Sequence, residues 1–187
     1  NVAAMVDLER EIDDDVKNLL AFDKYIDLII PRGGNNLVKF IKDNTKIPVL
    51  SHADGVCHIF VNYDADFDKA KNIITDAKLQ YSSACNAVET ILIHKDFNKT
   101  NELIEVLQGA GIELTDKPDC WHKEYSDNRL SYKIVGSFDE AVEHINEYSS
   151  GHTDAIITEN REDAQKFFEN VDSAGVYHNV STRFADG

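Results

Sequence analysis

Cys85 lies in the stretch QYSSACNAVETILIH, residues 80–94. Its neighbours Ser82, Ser83 and Ala84 are small and leave a sulfur accessible, and Asn86 adds a polar side chain. A thiolate in a tight turn, with backbone N–H groups aimed at a developing oxyanion, suits nucleophilic acyl chemistry. The same residues also suit a small, inert, buried cysteine. A second stretch, IIPRGGNN, pairs Arg32 with Gly33 and Gly34 ahead of a helix. Glycines let a ligand approach the backbone, and a helix N-terminus offers free N–H groups to an anion. This pattern fits a phosphorylated or nicotinamide cofactor and equally an ordinary strand-to-helix turn. It lacks the third glycine and strand-end acid of a dinucleotide fingerprint. The third stretch, YHNVSTRFADG, gathers Asn179, Ser181, Thr182 and Arg183. It reads either as a seat for carboxylate or phosphate or as a polar loop. The seven histidines are scattered, with no i, i+4 pair on a helix, so neither a triad nor a metal site is expected. His152 precedes a strand; by default it reads as a structural or solvent-exposed histidine, and otherwise as a neighbour of a site. Cys57, inside VCHIFV, is expected in the core, and Cys120 has no partner pattern.

The elements that must position these residues are read from apolar spacing. Ile12, Val16, Leu19 and Leu20 mark an acidic amphipathic helix, and Leu37, Phe40 and Ile41 mark a second one behind the glycine turn. YIDLII and IPVL read as strands on either side of it. VCHIFV is a strand. A helix then begins at an Asp66 N-cap, with Phe67, Ala70, Ile74 and Ala77 facing inward. VETILIH, GIEL, RLSYKIV, DAIIT and AGVYHNV read as further strands. Helices around Leu103, Ile104 and Leu107, over SFDEAVEHINEY and over NREDAQKFFENV lie between them. Ser137 and Glu140 stand at capping-box spacing, and Asn160 caps the last helix. Residues 115–128 are polar and expected to be weakly structured. Alternating strands and helices predict an α/β fold with a largely parallel open sheet and flanking helices. A domain boundary is expected near Lys78–Ser82.

The formal net charge is −15 over 187 residues, and 42% of residues are hydrophobic. A packed core is expected, and neither nucleic acid nor an anionic membrane is an expected partner. Three widely spaced cysteines make no disulfide framework, and a reducing compartment is expected. No signal-peptide pattern opens the chain, and no apolar run is long enough to span a bilayer. The chain is expected to be part of a longer protein.

Five blocks carry a family resemblance: IDLIIPRGGNNLV, IPVLSHADGVCHIFV, DAKLQYSSACNAVETILIHKD, GHTDAIITE and VDSAGVYHNVSTRFADG. In this order, over nearly the whole chain, they resemble γ-glutamyl phosphate reductase (glutamate-5-semialdehyde dehydrogenase). That family belongs to the aldehyde dehydrogenase superfamily and also occurs as the C-terminal part of bifunctional Δ1-pyrroline-5-carboxylate synthase. Ser51 and the serines at 82 and 83 depart from the family's usual glycine and proline, and residues 115–127 match poorly. The resemblance implies an aldehyde dehydrogenase-like fold. Residues 1–79 would be the end of an NADPH-binding domain and residues 80–187 a catalytic domain incomplete at its C-terminus. It implies an NADPH-dependent oxidoreductase of proline biosynthesis that reduces γ-glutamyl phosphate to glutamate 5-semialdehyde through a Cys85 thioester. Asn86 would assist at the oxyanion, Arg32, Gly33 and Gly34 would meet NADPH, and Ser181, Thr182 and Arg183 would hold substrate. No metal is implied. The full-length enzyme is expected to be a homo-oligomer in the cytoplasm, or in mitochondria where a transit peptide precedes it. The alternatives are an acylating aldehyde dehydrogenase for another acyl donor, or a non-catalytic assembly fragment.

Overall fold

A computed structural model describes residues 14–31, 35–50, 55–119 and 121–185. The chain forms two compact units, Asn1–Ala53 and Asp54–Gly187. This division falls ahead of the boundary expected near residue 79. The reason is that the strand and helix of residues 57–79 pack into one core with the strands and helices of residues 88–157.

In the first unit α1 (Asp14–Leu20) and α2 (Asn35–Asn44) bury Val16, Leu20 and Ile41, with Leu37, Phe40, Ile29 and Val49 packed around them. YIDLII and IPVL, expected as strands, meet in a single parallel bridge between Ile29 and Val49. Tyr25, Leu28, Ile30 and Leu50 remain exposed, so these runs are not buried on both faces as an inner strand would be.

The second unit is a six-stranded, wholly parallel sheet. Its strands are β1 (Cys57–Val61), β2 (Val88–His94), β3 (Glu113–Thr115), β4 (Arg129–Val135), β5 (Thr153–Ile157) and β6 (Gly175–His178), in the order β3-β4-β2-β1-β5-β6. The helices are α3 (Phe67–Leu79), α4 (Thr100–Gly109), α5 (Phe138–Tyr148) and α6 (Arg161–Asn170). Strand alternation divides the core. Ile59, Val61, Ile91 and Ile93 point to the α3 and α4 face, where Ala70, Ile74, Ala77, Leu103 and Leu107 meet them. Phe60, Leu92 and Ile156 point to the other face, against Ala141, Ile145 and Phe167 of α5 and α6. β1 and β2 are buried at every residue, as central strands covered on both faces should be.

The helix starts are set by side-chain capping. Asp66 accepts the Lys69 N–H, and Asn160 accepts those of Glu162 and Asp163. Ser137 accepts the Glu140 N–H, but the Glu140 carboxylate reaches the Gly136 N–H, one residue before the position a reciprocal capping box uses. At the C-terminal edge, Thr158 is tied to Asn62, Asp64, Asn179 and His178 by hydrogen bonds of 2.6–3.2 Å. That edge is cross-braced where an open α/β sheet would usually hold a ligand. The nucleophile candidate lies at the opposite, N-terminal edge, immediately before β2. No helix among the described residues is long and apolar enough to cross a membrane.

Candidate active site

The segment between α3 and β2 folds as two successive turns, with Ala84 N–H donating to the Tyr81 carbonyl and Ala87 N–H to that of Ala84. Cys85 rides on these turns and is exposed, whereas the neighbouring Asn86 is buried. The Asn86 amide oxygen has no hydrogen-bond partner among the described residues. The N–H groups of Cys85 and Asn86 likewise donate to no partner among them. N–H groups beside an exposed thiol, with no partner among the described residues, suit an acyl oxyanion.

The turn is supported from below by two residues of the β1 approach. A Cβ built on Gly55 would fall 2.5 Å from both the Cα and the carbonyl carbon of Cys85, and closer still to its oxygen. Only glycine leaves room for the nucleophile's backbone there. Cys57 is fully buried, and its thiol donates to the Cys85 carbonyl oxygen at 3.4 Å. Burial, and then the charge of Asp154, push the Cys57 thiol well above its ordinary pKa, so it stays a neutral donor. The sequence placed Cys57 in the core but held no sign of this contact; the glycine of HADG was the available signal for the close approach.

Asp154, at the start of β5, is a buried carboxylate that accepts from the His58 N–H at 2.6 Å and from the hydroxyls of Ser149 and Ser173. It ties β1 to β5 beneath the site. His152 bonds Thr153 at 2.8 Å just before β5, at the same sheet edge as the Cys85 turn. Among the described residues no group of three or more His, Cys, Asp or Glu is placed to hold a metal ion.

Ser181, Thr182 and Arg183 lie at a single turn of 3-10 helix, Thr182–Ala185. Ser181 Oγ accepts the Arg183 N–H at 3.2 Å, and Thr182 is fully buried with its hydroxyl lacking a hydrogen-bond partner among the described residues. Arg183 Nε donates to Gln80 Oε1 at 2.9 Å, and its guanidinium carbon lies 6.0 Å from the Tyr81 ring centre. A guanidinium is thereby brought to the residues that open the Cys85 segment. An open depression of about 460 Å³ runs from Tyr81, Ser82 and Ser83 to Ser126, Asp127 and Asn128. Arg32, Gly33, Gly34 and Cys120 lie outside the described residues.

In the segment expected to be weakly structured, Thr115 ends β3 and the described residues after it form turns and irregular chain that are exposed or half-buried. Trp121 meets the His144 ring edge-on at 4.9 Å, and the His144 and Tyr148 rings lie 4.6 Å apart, tilted at 46°. Burial first, then the positive charges near it, pull the His144 pKa down to about 3.

No protein-family model matches the chain. It is 51% identical over 185 residues to the gamma-glutamyl phosphate reductase of Prochlorococcus marinus, covering 90% of this chain and 42% of that protein. The crystal structure of gamma-glutamyl phosphate reductase from Thermotoga maritima superposes with a TM-score of 0.87 at 40% identity, over 92% of this chain and 45% of that one. An NADP-dependent glyceraldehyde-3-phosphate dehydrogenase from Bacillus halodurans, complexed with NADP, shares the fold with a TM-score of 0.74 at 18% identity. That match covers 86% of this chain and 46% of the other. The chain therefore spans less than half the length of the relatives it matches. By sequence and by fold together, it is homologous to the corresponding segment of gamma-glutamyl phosphate reductases and has an aldehyde dehydrogenase-like architecture.

Proposed function

We propose that this chain carries the nucleophile of a γ-glutamyl phosphate reductase that makes glutamate 5-semialdehyde for proline biosynthesis. The observation that carries the reading is the exposed Cys85 thiol, on a turn whose Cys85 and Asn86 N–H groups have no partner among the described residues, braced by Gly55 and Cys57. The Cys85 thiolate attacks the acyl carbon of γ-glutamyl phosphate. The N–H groups of Cys85 and Asn86 hold the oxyanion, and the C–O bond to phosphate breaks with its electron pair on the departing phosphate. A thioester on Cys85 results. NADPH, when bound, supplies the hydride that takes this thioester to the aldehyde level. Cys85 then leaves as thiolate and the site is restored. No residue has to activate water, because the thioester is reduced rather than hydrolysed.

Arg183, beside Tyr81 and Gln80 and at the same turn as Ser181 and Thr182, suits a carboxylate or phosphate of the substrate. For the cofactor, Arg32, Gly33 and Gly34 precede α2. That helix has no acidic residue in its first turn to offset its positive end, which suits an anionic ligand. The free thiols Cys57 and Cys85 suit a reducing compartment such as the cytoplasm. The test uses a protein of the relatives' full length containing this sequence. Cys85→Ala should abolish NADPH oxidation driven by γ-glutamyl phosphate, a loss of roughly a thousandfold or more, while Cys57→Ala should retain measurable turnover. Parental activity in Cys85→Ala would refute the reading. Preference for an acyl-CoA over the acyl phosphate would replace the substrate.

A further inference from the structure

Lys78 and Glu89 form an ion pair with no solvent exposure on either side chain, Nζ to Oε2 at 2.7 Å. Lys78 sits in the last turn of α3, and Glu89 is the second residue of β2. The two residues bracket the turns that carry Cys85. Neither enters the chemistry proposed above.

Such a pair is hard to explain as a source of stability. Two well-packed apolar side chains would serve as well or better, because burying both charges costs as much as their attraction returns. What the pair adds is a fixed geometry. A helix end and a strand start are joined by one short, directional bond, and the segment between them cannot shift without stretching it. Residues 124–127 lie against the pair. The Tyr125 ring centre lies 5.9 Å from Lys78 Nζ, the charges of Glu124 and Asp127 reach Lys78, and the N–H groups of Tyr125 and Ser126 face the Glu89 carboxylate. Glu89 Oε1 has no hydrogen-bond partner among the described residues, so Lys78 Nζ is the one side-chain donor within hydrogen-bond distance of this carboxylate. Gly55 and Cys57 hold the middle of the Cys85 turn, Arg183 holds Gln80, and the Lys78–Glu89 bond holds both ends.

We propose that Lys78 and Glu89 are positioning residues that clamp the two ends of the nucleophile turn and so keep the Cys85 thiol and the adjacent N–H groups aligned for attack. The proposal rests on the reading of Cys85 as nucleophile. Burial, the largest influence on each group, raises Glu89 to about 7 and lowers Lys78, so the two move toward sharing a proton. The clamp is therefore strongest while both are charged and weakens as Glu89 takes up a proton below about pH 7.

The experiment compares the full-length parent with Lys78→Met/Glu89→Leu, with the swap Lys78→Glu/Glu89→Lys, and with Cys85→Ala. Thermal melting, kcat and KM are read for each as pH is varied, and the iodoacetamide rate at Cys85 is read for the proteins that keep that thiol. Removing both charges together avoids the misfolding that one stranded charge would bring. The double apolar variant should melt at or above the parent's temperature. Its kcat should fall roughly 10- to 100-fold, as a displacement of up to about 1 Å would cause, with KM changed less than threefold. The dependence of the Cys85 alkylation rate on pH near 7 should flatten. The swap should recover a substantial part of kcat. A folded double apolar variant with parental kcat and an unchanged alkylation profile overturns the clamp. Because alkylation is read without turnover, the two ideas separate. Full activity in Cys85→Ala would remove the nucleophile reading even if the alkylation profile still responded to the pair.

Discussion

Gly55→Ala tests whether the support beneath the nucleophile is real. The added Cβ would meet the Cα and carbonyl carbon of Cys85 at 2.5 Å, and both are backbone atoms that cannot rotate away. Carbon–carbon contact is comfortable from about 3.5 Å, so one backbone must yield by roughly 1 Å. Overpacking of this kind costs about 1–3 kcal/mol. For a chain of this size that corresponds to a melting temperature roughly 2–12 °C lower. A displacement of about 1 Å at an attacking atom is worth roughly a hundredfold in rate. The effect should fall on kcat, because the substrate contacts proposed for Arg183 lie on a separate turn. Melting, kcat and the iodoacetamide rate at Cys85 are measured on the same preparations. A lower melting temperature with parental kcat and alkylation would mean the strain is relieved on the Gly55 side, and the coupling between Gly55 and the nucleophile would be refuted.

The same geometry makes further outcomes testable. Iodoacetamide should label Cys85 at least about a hundredfold faster than Cys57, because the Cys57 thiol is buried and its pKa is raised; peptide mass spectrometry reads the ratio, and equal rates would contradict the burial. Arg183→Lys should raise KM for γ-glutamyl phosphate about tenfold with a smaller effect on kcat, since a point charge replaces a fork held by Gln80; an unchanged KM would remove Arg183 from the substrate. His144 should make the fold acid-sensitive. The unfolded chain takes up a proton at His144 below about pH 6.5 while the folded chain stays neutral there until about 3, so stability falls as pH drops through that window. The contribution approaches about 1.4 kcal/mol per pH unit. Urea titrations of His144→Phe between pH 7 and 4 should show a shallower loss than the parent, and parallel curves would exclude His144 as the source.

The architecture was legible where burial repeats with a period. The alternation of Ile59, Phe60 and Val61, and of Ile91, Leu92 and Ile93, is written into apolar runs, and the parallel sheet is implied by strands alternating with helices. YIDLII and IPVL misled because a continuous apolar run looks the same whether or not neighbouring strands cover it; here several of those side chains face solvent. Cys85 stood out through its small neighbours, yet the sequence could not show what braces it. Gly55 and Cys57 are distant along the chain, and their approach exists only once β1 and β2 pair. Lys78 entered the sequence reading only as the start of an expected domain boundary, although it lies four residues after the inward-facing Ile74, on the same helix face. Glu89, the one acidic residue of VETILIH, was the clearer signal. A charge in a central strand needs a buried partner, and the partner was eleven residues earlier.

The central claim is that Cys85 forms the acyl-enzyme. The full-length protein containing this chain is mixed with γ-glutamyl phosphate generated in situ, without NADPH, quenched in acid and analysed by peptide mass spectrometry. The account predicts a γ-glutamyl adduct on the Cys85 peptide that hydroxylamine removes and that adding NADPH before the quench discharges. An adduct confined to Cys57 or Cys120, or steady NADPH oxidation with no adduct on Cys85 under any quench, would contradict it.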